Sequence, residues 1–203
     1  MAAKPPVAVF GDMTVTLPTD RIGVVLGHQG SGRSTFLRLI CGAERPDYGE
    51  VLTQTRFSVI SNAKSYFHPM LTGVENIALV GRMYGIDPDA LTAAAFAAPA
   101  PAGSWYDLVG SLSAQARRAM EITVAALLPF DCYLLDDVER VDPEILEWVV
   151  QVVRVRRAGM IVAAHNPKIV RPFVDFVAVI AYQTVYAFTS MREALDLYGR
   201  QPI

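Results

Sequence analysis

Apolar residues fall into short runs along this chain, broken by glycine, proline and acidic turns, and their spacing takes two forms. Runs of strand length occur at 22–26, 132–135, 160–164, 176–181 and 184–188, and they predict strands. Shorter segments at 7–10 and 13–17, the second strictly alternating, also read as strands, as do 49–52 and 56–60 after the turn Pro46-Asp47-Tyr48-Gly49. Helical spacing covers the stretch after residue 33 to about 41, then 74–84, 114–128 and 191–197. Residues 92–103 turn alanine- and proline-rich, which predicts a helix ending in a stiff linker. Asp142 followed by Pro143 marks a helix start, a cap and then a first-turn proline, and Gly159 is expected to end that helix. No internal repeat is visible. Alternating strands and helices predict a mainly parallel sheet flanked by helices.

Composition narrows the picture. The 203 residues suffice for one domain with a full core. Net charge is −2 and pI about 5.9, so no nucleic-acid footprint shows. Hydrophobic residues make up 52% and charged ones 19%, with mean hydropathy +0.30. No run approaches the ~18 apolar residues that would span a membrane, so the surplus is expected to cover an interface with other subunits. The only cysteines, Cys41 and Cys132, sit in apolar contexts and read as buried reduced thiols in a cytosolic chain. The start M-A-A-K-P-P lacks the order of a signal peptide.

The strongest chemical signal follows the run at 22–26. Residues 27–35 read G-H-Q-G-S-G-R-S-T, the phosphate-loop pattern with Arg33 in the lysine position. Gly27, Gly30 and Gly32 let the backbone curl until successive N–H groups point at phosphate oxygens. The helix starting near Ser34 aims its positive end at the same place. Ser34 is where a hydroxyl binds Mg²⁺, and His28, Gln29, Ser31 and Thr35 complete the cradle. Arginine is a wide planar fork where lysine is a point charge, so phosphate contact through Arg33 differs in shape.

Two acids, Asp136 and Asp137, end the strand at 132–135. At a strand's carboxyl edge Asp136 can reach Mg²⁺ opposite the phosphate loop, and Asp137 can orient or deprotonate an attacking water. His165 follows the strand at 160–164 and is expected to point at the same crevice, where a γ-phosphate contact and a purely structural role are both open.

Loop, paired acids and post-strand histidine occur in the order of ABC transporter ATPase subunits, and nearly the whole chain resembles that family. It is most similar to the ATPases that export capsular polysaccharide and related O-antigen chains. The segments that carry the likeness are G-H-Q-G-S-G-R-S-T-F-L-R-L-I-C-G, R-P-D-Y-G-E, L-T-G-V-E-N-I-A-L-V-G-R-M-Y-G, F-D-C-Y-L-L-D-D-V and A-A-H-N-P.

The resemblance implies an α/β fold: a P-loop NTPase, specifically an ABC-type nucleotide-binding domain with a mainly parallel sheet and an antiparallel β edge. A single domain would span 1–203, with a small helical subdomain around 70–128. It implies ATP and Mg²⁺ as cofactors. Gly27 to Thr35 would bind the phosphates, Asp136 would join Ser34 at the metal, Asp137 would stand at the catalytic glutamate position and His165 would be the switch histidine. His68 would take the place of the glutamine that touches the metal and couples the site to the permease. Residues 112–117, with Ser113 and Gln115, would form the signature segment that caps the ATP of the opposite subunit, and Asp142 would lie on the loop crossing that dimer.

Partners implied are a transmembrane permease, docked near residues 66–76, a second ATPase subunit in a homodimer or heterodimer, and a polysaccharide handled by the permease. The place implied is the cytoplasmic face of the inner membrane.

Four substitutions depart from the family pattern: Arg33 for lysine, His68 for glutamine, Gln115 for glycine and Asp137 for glutamate. The family's first strand and its adenine-stacking aromatic have no counterpart before Val7. These departures define an alternative, a degenerate nucleotide-binding subunit that regulates or scaffolds a transporter. A small-molecule kinase on the same loop would need an arginine-rich lid, whereas 85–105 offers alanine and proline. Arg117 and Arg118 read as a solvated helix face, Arg154, Arg156 and Arg157 as a basic helix end complementing the dipole, and Trp105 and Trp148 as core or interface anchors.

Overall fold

A computed structural model describes residues 8–58, 66–99 and 102–200. Along the chain come β1 (Ile22–Leu26), α1 (Arg33–Ile40), α2 (Gly73–Tyr84), α3 (Pro88–Phe96), α4 (Ala114–Leu127) and β2 (Cys132–Leu135). Next are α5 (Pro143–Val155), β3 (Gly159–Ala164), α6 (Pro167–Val170), β4 (Phe176–Ala181), β5 (Thr184–Phe188) and α7 (Met191–Gly199). The sheet order is β2-β3-β1-β4-β5. The first four strands are parallel, and β5 returns antiparallel to β4 as the edge. Every residue of β1 to β4 is buried, as continuous apolar runs in a parallel sheet require.

Alternate strand residues feed two cores. On one face Val24, Leu26, Leu135, Val162 and Val179 meet α5 through Ile145, Val149 and Val153, and α7 through Ala194. On the other, Val25, Leu134, Ile161 and Ala178 meet Phe36 and Leu37 of α1. A third cluster joins α2, α3 and α4 around Ile77, Leu91, Trp105 and Met120. Trp105 is fully buried and Trp148 packs against the main core, as anchors should.

Helix α4 belongs to two of these clusters. Met120 and Val124 face the helical layer, while Ala119, Ile122 and Ala126 face the sheet. Residues 119–126 are buried without a break, so this helix is enclosed on all sides over that length. Its carboxyl end is held by Arg156, which donates to the carbonyls of Leu127 (2.8 Å) and Leu128 (2.7 Å). The basic end of α5 therefore complements the dipole of α4 rather than its own alone.

Several predicted elements come out differently. Within 8–17 there is no strand. Met13, Val15 and Leu17 do pack alternately against the second core, but the segment's backbone has no strand beside it; Gly11 N–H donates to the Gln183 carbonyl instead. Alternation reports one buried face, not a hydrogen-bonded neighbour. Residues 49–52 are exposed and irregular, and of 56–58 only Phe57 bridges to Cys132, with 59 and 60 lying outside the described residues. The alanine-rich helix starts earlier, at Pro88, capped by Asp87. Helix α5 stops at Val155, and Arg157, not glycine, takes the left-handed conformation after it. Gly159 opens β3 instead, where an added Cβ would sit only 2.0 Å from the Thr19 carbonyl oxygen. Cys132 is buried and its thiol is pushed up to about 12 by desolvation, whereas Cys41 is only half-buried.

The segment 56–58 is tied to β2 by charge. Arg56 donates through Nε and Nη2 to the two Asp131 carboxylate oxygens (3.1 and 2.9 Å), and its backbone N–H donates as well (2.9 Å). These bonds lower the Asp131 pKa from 3.8 to about 2. A carboxyl whose folded value is depressed contributes fully above its unfolded value and loses that contribution as pH falls through the folded one. The difference in urea midpoint between wild type and Asp131→Asn should therefore be constant above about pH 4 and shrink towards about pH 2. Because the pair is exposed, the difference should be small and reduced by salt.

Candidate active site

Parallel pairing sets where the chemistry gathers. Leu26 lies opposite Ala164, and Leu135 opposite Val162, so β1, β3 and β2 run out side by side. Gly27, His165 and Asp136 are the next residues on these strands, and Gly27 N–H donates to the Ala164 carbonyl (3.3 Å).

The phosphate loop closes by Ser31 N–H to the His28 carbonyl (3.0 Å), and α1 begins as Phe36 N–H meets the Gly32 carbonyl (2.8 Å). Gly32 stands at φ 99° as the N-cap, with no side chain capping the helix. A Cβ there would come within 2.5 Å of Val9 and 3.0 Å of Phe10, so glycine is required by both strain and space. The uncapped first turn leaves its N–H groups for an anion. Thr35 Oγ1 accepts from Arg38 (3.1 Å). The buried polar atoms without a partner among the described residues include Ser31 Oγ, Arg33 Nη1, Arg118 Nε and Glu139 Oε2. A hydroxyl and a guanidinium nitrogen left so at a phosphate loop fit a bound anion.

Asp136 is buried, and its Oδ1 accepts from Asp137 N–H (2.9 Å). Asp137 takes a left-handed backbone, φ 54° and ψ 50°, and its carboxylate pairs with exposed Arg140 at 2.9 Å. Arg118, from α4, donates one Nη2 to the carbonyls of both Asp136 (2.6 Å) and Asp137 (3.0 Å). It is thus not a solvated helix residue: half-buried, it locks the turn that aims both acids. Burial lowers its pKa, opposed by Asp137 and Asp136.

His165 exposes its ring, yet its loop is held by Glu139. One Glu139 oxygen accepts from His165 N–H (2.5 Å) and Asn166 N–H (2.9 Å), and His165 Nδ1 lies 3.1 Å from it. Asp137, Glu139 and His165 bring ligand atoms within 4.8 Å of one another; Asp136 and His68 are not in that group. His68 is exposed, its Nδ1 accepts from Met70 N–H (3.2 Å), and only Nε2 is left for another partner. Asn76 holds the His68 turn by accepting from His68 N–H (2.7 Å) and donating to its carbonyl (3.1 Å).

Ser113 and Gln115 lie elsewhere. Ser113 caps α4 by accepting from Ala116 N–H (3.1 Å), and both residues line a cavity of about 280 Å³ with Asp142 and Glu144. No phosphate-loop residue lines it. Of the expected docking stretch 66–76, Phe67 and Asn76 are buried; Met70 at the loop tip is exposed, and so is Leu108, which bridges to Thr72.

A strand, a glycine loop and an uncapped helix at the carboxyl edge of a parallel sheet define a P-loop nucleotide-binding fold. The chain belongs to the ABC transporter family, whose profile matches residues 10–139, and ATP is the nucleotide of that ATPase class. It is 26% identical over 196 residues to the polysialic acid transport ATP-binding protein KpsT of Escherichia coli, covering 94% of this chain and 88% of that one. The ATP-binding protein BexA of Haemophilus influenzae is 27% identical (89% and 84% covered). The capsule polysaccharide export ATP-binding protein CtrD of Neisseria meningitidis is also 27% identical (90% and 86% covered). Among solved structures, an ATP-binding subunit of an ABC transporter superposes with a TM-score of 0.78 at 17% identity, covering 95% of this chain and 89% of that one. Such identity speaks for the fold. Among the described residues no helix is long and apolar enough to cross a membrane.

Glu139, Arg118 and Tyr198 (which bonds the His165 carbonyl) are the contacts that sequence reasoning missed. Nothing in the spacing of these three residues points to the strand ends they reach.

Arg118→Met keeps the apolar stem and removes the two carbonyl bonds. Bonds from a charged donor are worth roughly 1.5–3 kcal/mol each, so the variant should melt at least ~3 °C below wild type by calorimetry. An unchanged melting temperature would mean that Arg118 does not brace the acidic turn.

Proposed function

We propose that this chain is the ATP-hydrolysing subunit of an ABC exporter that moves a capsular polysaccharide or related glycan out of the cytoplasm across the inner membrane. The observation that carries the reading is similarity across nearly the full length to KpsT and CtrD, whose names place them in polysialic acid transport and capsule polysaccharide export. The whole chain would act as one domain, with 70–128 as its helical subdomain. It would sit at the cytoplasmic face, a permease docking near residues 66–76, where Met70 is exposed.

Within the site, the amides of 27–35 and Arg33 bind the ATP phosphates, and the unpartnered Ser31 Oγ and Arg33 Nη1 support that assignment. Ser34 and Asp136 would hold Mg²⁺, with His68 Nε2 approaching as the dimer closes; the ion would neutralise charge on the phosphate oxygens. Asp137 orients the attacking water and takes its proton as the oxygen–γ-phosphorus bond forms and the bond to ADP breaks. Its pairing with exposed Arg140 is cheap to exchange for that role. His165, held by Glu139, contacts the γ-phosphate. Ser113 and Gln115, in their separate cavity, would face the ATP of a second subunit, and the glycan would be handled by the permease alone.

Single-turnover cleavage of MgATP, with protein in excess, tests this directly. Wild type should cleave, and Asp137→Asn should be at least ~10²-fold slower while still binding MgATP. Binding without cleavage by wild type would replace the motor with the degenerate, regulatory subunit.

A further inference from the structure

Helix α7 ends against the phosphate loop. The Tyr198 ring stacks on the His28 imidazole, with centroids 4.4 Å apart and planes at 15°. His28 Nε2–H donates to the Tyr198 carbonyl (3.4 Å), and the Tyr198 hydroxyl donates to the His165 carbonyl (2.7 Å). One residue therefore touches the second residue of the phosphate loop and the histidine that follows β3. Its helix is fixed to the sheet: Ala194 is fully buried in the main core, with Leu195 and Leu197 packed beside it.

We propose that Tyr198 is a positioning residue of the ATPase site, its ring setting the phosphate loop and its hydroxyl setting the His165 loop so that both meet one phosphate in fixed relation. The role presupposes the ATP-hydrolysing reading above. It does not require Tyr198 to touch nucleotide, because it acts through His28 and His165. The phenol suits the task. Burial raises its pKa, with Glu139 acting the same way and Arg33 against it, so the hydroxyl stays a donor at neutral pH.

The two contacts separate by substitution in the full chain. Tyr198→Phe keeps the ring and loses the hydroxyl; Tyr198→Leu loses both. A neutral hydrogen bond and an aromatic pair each correspond to a factor of roughly 3 to 10. Amide hydrogen exchange without nucleotide should show Tyr198→Phe about 3- to 10-fold faster at His165, Asn166 and Lys168, with 27–32 unchanged. Tyr198→Leu should be faster at both, and β2 should be unchanged in either. In MgATP turnover, Tyr198→Phe should lower kcat by about the same factor at unchanged KM, while Tyr198→Leu should raise KM as well.

Wild-type exchange at 165–168 together with wild-type kcat in Tyr198→Phe would overturn the proposal, as would faster exchange spread evenly through β2. If the leucine variant does not fold, the phenylalanine variant decides alone. A wild type that cleaves no MgATP would overturn the ATPase reading, and the exchange pattern would still decide whether Tyr198 tethers the two loops.

Discussion

Parallel hydrogen bonding between β1 and β3 is the constraint on which the site depends. It sets Leu26 opposite Ala164, so the phosphate loop and the His165 loop leave the sheet from adjacent rungs, and Gly27 is bonded to the last carbonyl of β3. The register of β2 on β3 then brings Asp136 to the same edge. A one-residue slip in either pairing would exchange the faces of a strand and move its terminal residue out of the crevice. Burial on both faces resists such a slip, since Val24 and Leu26 belong to one core and Val25 to the other.

Helix α4 joins this edge to the helical layer. It is buried against both the sheet and α2–α3, its amino end carries Ser113 and Gln115, and Arg118 reaches from its second turn to the carbonyls after β2. Displacement of the helical layer would therefore be felt at the backbone of Asp136 and Asp137 through hydrogen bonds rather than through loose packing. The left-handed Asp137 is the point where that connection meets strain, because a non-glycine residue holds this conformation only when its surroundings impose it.

The sheet was legible because its strands are continuous apolar runs bounded by turns, and the phosphate loop because glycines at fixed spacing have few other uses. The segment at 13–17 was misread because hydrophobic alternation records a buried face, while a strand also needs a backbone neighbour; of 56–60, the described residues 56–58 do bond to Cys132 through the Arg56 carbonyl and the Ser58 N–H. Gly159 was read as a helix terminator when its use is close approach to Thr19, a contact across distant sequence. Arg118, Glu139 and Tyr198 were illegible in the same way. Each acts on a backbone group of another element, 18 to 33 residues away, and no local pattern encodes that. Ser113 and Gln115 were legible only through the resemblance, and they line a cavity that no phosphate-loop residue shares.

Everything proposed for this site requires that a phosphate loop carrying arginine hold ATP. Equilibrium titration of MgATP into the wild-type chain and into Arg33→Ala measures this without relying on cleavage. Saturable binding by wild type is expected, weakened at least about tenfold when the charge-assisted contacts of the guanidinium are removed. Equal binding by both, or none by wild type, would contradict it.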